Sequence, residues 1–149
     1  MKSEPESYSI DDLKSDGRTS WEGVRNYQAR NFLRDLFAVG DEVLFYHSNA
    51  DPPGIAGLAR VVREGYPDPA ARDPGSDYFD ERASEQDPRW YMVDIEFIER
   101  FDDLIPLSTI RDTPGLEDMP LNNRSRLSVQ PVTSEQFQRI LALARSGEE

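Results

Sequence analysis

Ala29, Phe32, Leu33, Leu36 and Phe37 fall at i, i+3, i+4, i+7 and i+8, the spacing that lines one face of a helix. This stripe predicts a helix packed on a core, with Arg30 and Arg34 together off the apolar face. Upstream, Ser9 precedes Ile-Asp-Asp-Leu. A serine N-cap followed by acids suits a helix start, so a short helix ending near Gly17 is expected. After Gly40 and Asp41 the run DEVLFYHS is rich in β-formers and reads as a central strand. IAGLARVVRE reads as the next strand, with Gly54 and Gly57 marking a bulge or a close backbone approach. In WYMVDIEFIER, Tyr91, Val93, Ile95 and Phe97 alternate with Met92, Asp94 and Glu96, the pattern of a half-buried strand.

The segment from Tyr66 to Arg89 breaks this regularity. It holds four prolines and a glycine among its charges, so a long loop is expected there. Pro106 to Asp112 predicts a short helix, and RLSVQPV a last strand ended by Pro131. Thr133 and Gln136 then make a capping box, Val132 and Phe137 a hydrophobic staple, and Ile140, Leu141 and Ala144 continue the stripe of a final helix. Strands separated by short helices, without regular βαβ alternation, point to an α+β domain built on a curved sheet or small barrel. A doubly wound nucleotide-binding fold is not expected.

Composition sharpens this picture. With 149 residues and 37% hydrophobic content, one domain over 1–149 is expected. The chain has no cysteine and one histidine, His47, which leaves neither disulfides nor the ligands of a thiolate or histidine-rich metal centre. No metal or cofactor is expected. No apolar run approaches the roughly 20 residues of a membrane span, and the polar start MKSEPESYS lacks a signal peptide's apolar stretch. A soluble, cytoplasmic chain without membrane partners follows as the expectation.

The net charge of -12 argues against a protein that coats nucleic acid, since such binding depends on neutralised phosphates. Its distribution is uneven. Seven acids face three arginines between Tyr66 and Arg89, whereas Arg25, Arg30 and Arg34 face only Glu22 between Trp21 and Arg34. Arg124 and Arg126 make a second basic island. Such islands either guide an anionic ligand to one place or pair with neighbouring acids.

Catalytic signatures are sparse. The chain has no phosphate-binding glycine loop, HExxH helix or GxSxG elbow. His47 and Ser48 are neighbours on a predicted strand, where adjacent side chains point to opposite faces, so they do not form a catalytic pair. A hydrolase or base-processing enzyme using His47 with a carboxylate stays open as an alternative. A protein-interaction module working through the acidic loop is another. The remaining aromatics, amides and arginines, including Trp21, Tyr27, Tyr46, Trp90, Asn26 and Asn49, suit recognition of a flat heteroaromatic ring by stacking and edge contacts.

Seven blocks carry a resemblance: Lys2-Ser3-Glu4-Pro5, Trp21 to Asn31, Phe45-Tyr46-His47-Ser48, Pro53 to Gly57, Tyr66-Pro67-Asp68, Arg89-Trp90 and Arg126 to Pro131. Together, in this order and over nearly the whole chain, they resemble an EVE domain of the thymocyte nuclear protein kind, related to PUA and YTH folds. The resemblance implies a PUA-like mixed β-barrel with peripheral short helices that binds DNA or RNA through a pocket for a modified, flipped-out base, without catalysis. It implies Lys2, Ser3, Trp21, Gly23, Val24, Arg25 and Asn26 at the pocket rim or wall. Tyr46, His47 and Ser48 would form the floor, Arg30 would reach a phosphate, and Ser128 would approach from the last strand. Family members begin with a few more residues, including a tryptophan, before Lys-Ser-Glu-Pro, so Met1 is expected to be internal to a longer product and the first strand shortened.

Overall fold

A computed structural model of the chain describes residues 1–123 and 127–146. Ser9 caps α1 (Ile10–Asp16) through a full capping box with Asp12, and Gly17 ends it at φ 75°. Asn26 caps α2 (Tyr27–Asp35), which buries Ala29 and Leu33 as the stripe predicts. Leu36, expected to continue that stripe, lies past the helix end and is exposed. The remaining elements are β1 (Lys2–Ser3), β2 (Arg18–Ser20), β3 (Glu42–His47), β4 (Gly54–Pro67), a 3-10 turn (Pro69–Arg72) inside the expected loop, β5 (Tyr91–Pro106), α3 (Leu107–Asp112), α4 (Pro120–Asn123) and α5 (Ser134–Ser146). Thr133 and Gln136 form the expected capping box of α5, with reciprocal bonds of 3.0 and 3.1 Å.

The five strands form one sheet in the order β1-β3-β4-β5-β2, parallel between β1 and β3 and antiparallel elsewhere. Its centre is buried on both faces. On β3, Val43 and Phe45 enter a core shared with Ile10 and Leu13 of α1 and Ala29 and Leu33 of α2, while Leu44 and Tyr46 enter a second core with Ile110 and Ile140. That two-sided burial corrects the half-buried reading of β5: Met92 and Asp94 are buried as well as Val93 and Ile95.

Four register shifts between β4 and β5 bend these long strands. Bulges of this kind add local twist and curl a sheet toward closure. At one of them a Cβ on Gly57 would stand 2.3 Å from the Glu99 carbonyl oxygen, so the backbones approach here as only glycine allows. The curl stops short of a barrel. The sheet is open, with the two-residue β1 and the three-residue β2 as its edges, which corrects the closed form of the expected fold.

The last expected strand is also absent over Leu127–Val132, where Gln130 Nε2 bonds back to the Leu127 carbonyl at 2.8 Å and Pro131 supplies no N–H. Leu127 and Val129 are buried nonetheless. Arg124 and Arg126 lie outside the described residues. Among the described residues no helix is long and apolar enough to cross a membrane.

Candidate functional site

The unclosed seam is itself a cavity. Lys2 and Ser3 of β1 and Thr19 and Ser20 of β2 line the same space of about 450 Å³, together with the Trp21–Arg25 segment, Ser7, Tyr8, Tyr78 and Ser128. The curvature thus brings the two sheet edges to one place without pairing them. Ser3 Oγ donates to the Tyr8 carbonyl at 2.7 Å, tying the approach to α1 onto β1. The Ser128 carbonyl accepts from the Lys2 backbone at 2.8 Å and fixes the far side.

Trp21 is half-buried. Its indole meets Phe45 edge-on, with centroids 5.5 Å apart, so one part of the ring belongs to the core while the residue borders the cavity. Val24 below it is 6% exposed. Gly23 between them has φ 82°, a conformation that favours glycine, and its N–H donates to Asp68 Oδ2 at 2.9 Å.

Asp68 organises this wall. Its side chain is fully buried and accepts from Gly23, from the Ala70 backbone at 2.9 Å and from Arg25 Nη1 at 3.2 Å. Arg25 also donates to the Tyr78 carbonyl from Nε at 3.0 Å and Nη2 at 2.7 Å. Trp90, offered by the sequence as a recognition aromatic, is 3% exposed and donates from Nε1 to Asp80 at 2.8 Å. That bond, with the Arg82 backbone N–H, holds the Asp80 carboxyl down at about 2. The 66–89 segment is therefore an anchored cover for the cavity wall, with its critical acids turned inward.

The structure gathers Lys2, Ser3, Trp21, Gly23, Val24, Arg25 and Ser128 around the cavity and leaves five other candidates outside its lining. Asn26 is committed to capping, accepting from Ala29 N at 3.0 Å. Arg30 faces inward to the loop: Nη1 donates to the Arg89 carbonyl at 2.6 Å, and the guanidinium lies 4.9 Å from the Tyr27 ring, which itself stacks on Trp90. Asn49 bonds to Glu4 away from the lining.

Tyr46, His47 and Ser48, expected at the floor, are not among the residues that line this cavity. The Tyr46 ring is buried in the second core, with Lys2 Nζ 5.6 Å from its centroid. His47 Nε2 accepts the Ile10 N–H at 3.1 Å and so holds the start of α1. Ser48 N donates to the Ser3 carbonyl at 2.9 Å. All three position parts of the wall from outside.

Burial shapes the electrostatics. It lowers the Lys2 ammonium and the His47 imidazole below their usual ranges. It also raises the Tyr8 hydroxyl to about 12, assisted by the Asp16 carboxylate, which accepts its proton at 2.8 Å. Ser7, Tyr8, Thr19, Ser20, Glu22 and Tyr78 complete the lining unanticipated. Ser20 and Glu22 flank Trp21 and were accessible to the same reasoning, whereas Tyr78 comes from the irregular loop, where no periodicity places a residue.

The cavity offers a flat aromatic flank, small hydroxyls, two cations (Lys2 and Arg25) and one carboxylate (Glu22), the equipment for binding a small planar polar group. The family model for the EVE domain matches residues 1–143. Human thymocyte nuclear protein 1 is 44% identical over 162 aligned residues, spanning 96% of this chain and 72% of the relative. A hypothetical protein from Leishmania major has a structure with TM-score 0.95 at 45% identity, covering 100% of this chain and 94% of that one. The structure of human THYN1 protein in complex with 5-methylcytosine-containing DNA gives a TM-score of 0.89 at 43% identity, covering 97% and 95%.

Proposed function

Because the chain belongs to the EVE domain family, we propose that it is a non-catalytic reader of 5-methylcytosine in DNA, taking the extruded base into the seam beside Trp21. The observation that carries this reading is the human relative bound to 5-methylcytosine-containing DNA, whose fold matches across nearly the whole chain. The seam's 450 Å³ lies in the roughly 300–1,000 Å³ range of small-molecule sites.

The energetics are balanced. Extruding a base costs a few kcal/mol, and stacking on one aromatic offsets about 1–3 kcal/mol of that. Burying the methyl group contributes about 0.8 kcal/mol, a factor of about four. Larger discrimination needs an unmethylated base to leave a void or an unpaired group. With Arg25 and Arg30 turned inward, two of the described cations beside the seam are spent on the fold, and a log-log salt slope of about -1 to -3 is expected.

Binding is favoured over chemistry by His47, which stands outside the cavity with Nε2 already engaged by a backbone N–H. The inward Asp68 and Asp80 likewise favour a structural loop over an acidic interaction surface.

Binding of duplexes that differ in one 5-methyl group tests the reading. The wild-type chain should prefer the methylated duplex, and Trp21→Ala should lose roughly 5- to 150-fold in affinity. Since Trp21 also packs on Phe45, the alanine variant should lose about 1–3 kcal/mol of stability as well. Trp21→Leu, which keeps apolar packing without a stacking face, separates the two effects. Equal affinity for both duplexes, or a covalent change in the DNA by mass spectrometry, overturns the proposal.

A further inference from the structure

We propose that Tyr78 is a second binding residue, whose ring closes the slot against the base that Trp21 borders. This rests on the base-reading proposal above. Tyr78 is carried on the irregular loop, 53 residues along the chain from Arg25, yet two separate devices hold it at the cavity.

The first is a grip on its main chain. Arg25 donates twice to the Tyr78 carbonyl while its guanidinium lies 5.6 Å from the ring centroid, and Arg25 is itself held by buried Asp68. The second is space. A Cβ on Gly23 would stand 2.7–2.8 Å from three Tyr78 ring carbons. The positive-φ glycine therefore lets an aromatic ring lie flat on the wall next to Trp21.

The outcome is a large aromatic that lines the cavity with 44% of its surface exposed. Leaving such a ring in water forfeits the burial that aromatics ordinarily gain, and a stacked base would supply it. Holding the ring through its carbonyl also fixes its place before ligand arrives, which reduces the ordering cost of binding.

The test is equilibrium binding of a duplex with one 5-methylcytosine to the full chain and to Y78F, Y78L and Y78A. Y78F should bind within about twofold of wild type, since stacking needs the ring and not the hydroxyl. Y78L and Y78A should each weaken binding by roughly 5- to 150-fold. Wild-type affinity in Y78L, which still covers Gly23 with apolar atoms, overturns the proposal. If Y78A does not fold, the comparison of Y78F with Y78L decides. Wild-type protein that ignores the methyl group sinks the base-reading proposal itself. Selective wild-type binding with an unaffected Y78L sinks only the role of Tyr78.

Discussion

Two cavities border the start of the chain, and size ranks them in the wrong order. The larger, about 510 Å³, lies between the end of α2, the start of β3 and the start of α5, with Phe32, Phe37, Val132 and Phe137 in its walls. The smaller, about 450 Å³, is the open seam. What differs is the construction behind each wall. At the larger cavity Thr133 is spent on a helix cap, exchanging bonds with Gln136 behind it. Behind the seam stands a fully buried carboxylate, Asp68, whose bonds reach Gly23, Arg25 and the covering loop. An ion removed from water costs several kcal/mol unless well paired. A buried ion spent on holding a cavity wall marks that wall as one whose shape matters.

The sharpest way to break the contrast is to remove that ion. Asp68→Ala should cost about 3–5 kcal/mol in urea unfolding, because Arg25 and two backbone N–H groups lose their acceptor together. Binding of 5-methylcytosine duplex should disappear in conditions where the variant is still folded. A loss below about 1 kcal/mol with binding intact would show that the network does not build the site.

Phe137→Ala probes the other side. The ring packs against the second core and borders the larger cavity, so a loss of about 2 kcal/mol is expected for a partly buried aromatic. DNA affinity should stay within about twofold of wild type. A large loss of affinity at unchanged fold would move function into the larger cavity and erase the distinction.

How much of this contrast the amino-acid order revealed depends on the range of the interaction. Ser9 and Thr133 cap helices through bonds three residues away, and those starts were legible. So were the centres of β3, β4 and β5, where apolar runs state their burial directly. β1 and β2 were not, because two or three residues become strands only through partners far along the chain. The extension of β5 through Phe-Asp-Asp-Leu was hidden for the same reason: these four residues fall in a register shift, and only the pairing of Ile105 and Pro106 with Ile55 and Gly54 beyond them continues the strand.

The site divides along that line. Trp21 and the wall segment after it are contiguous, so one stretch of sequence carries them together into the cavity's lining. Asp68 and Tyr78 act from a loop without periodicity, and their roles appear only when distant segments meet. Tyr46-His47-Ser48 lies next to the wall and outside the cavity's lining; strand alternation does not reveal which element packs behind which.

His47 gives the smallest and most selective probe of that supporting layer. Its Nε2 accepts the Ile10 N–H at 3.1 Å, which requires the neutral ring. Burial lowers its pKa in the folded chain; the Asp11 carboxylate opposes the shift, Arg100 adds to it, and Phe45 meets the ring edge-on. The native state therefore binds fewer protons than the unfolded state between the lowered value and the ordinary value of about 6.5. Stability from this group is complete above about pH 6.5, falls as pH drops through that window, and levels off below it. Urea midpoints of wild type and His47→Gln, measured together from pH 8 to pH 5, isolate the effect from the carboxylates that both chains share. The glutamine oxygen still accepts the Ile10 N–H, so the variant should lack the wild-type decline below pH 6.5. Because α1 starts beside Ser7 and Tyr8 of the seam, wild-type affinity for methylated duplex should weaken over the same window while affinity in the glutamine variant stays level. Parallel pH profiles in the two chains would detach His47 from the wall and return it to ordinary packing.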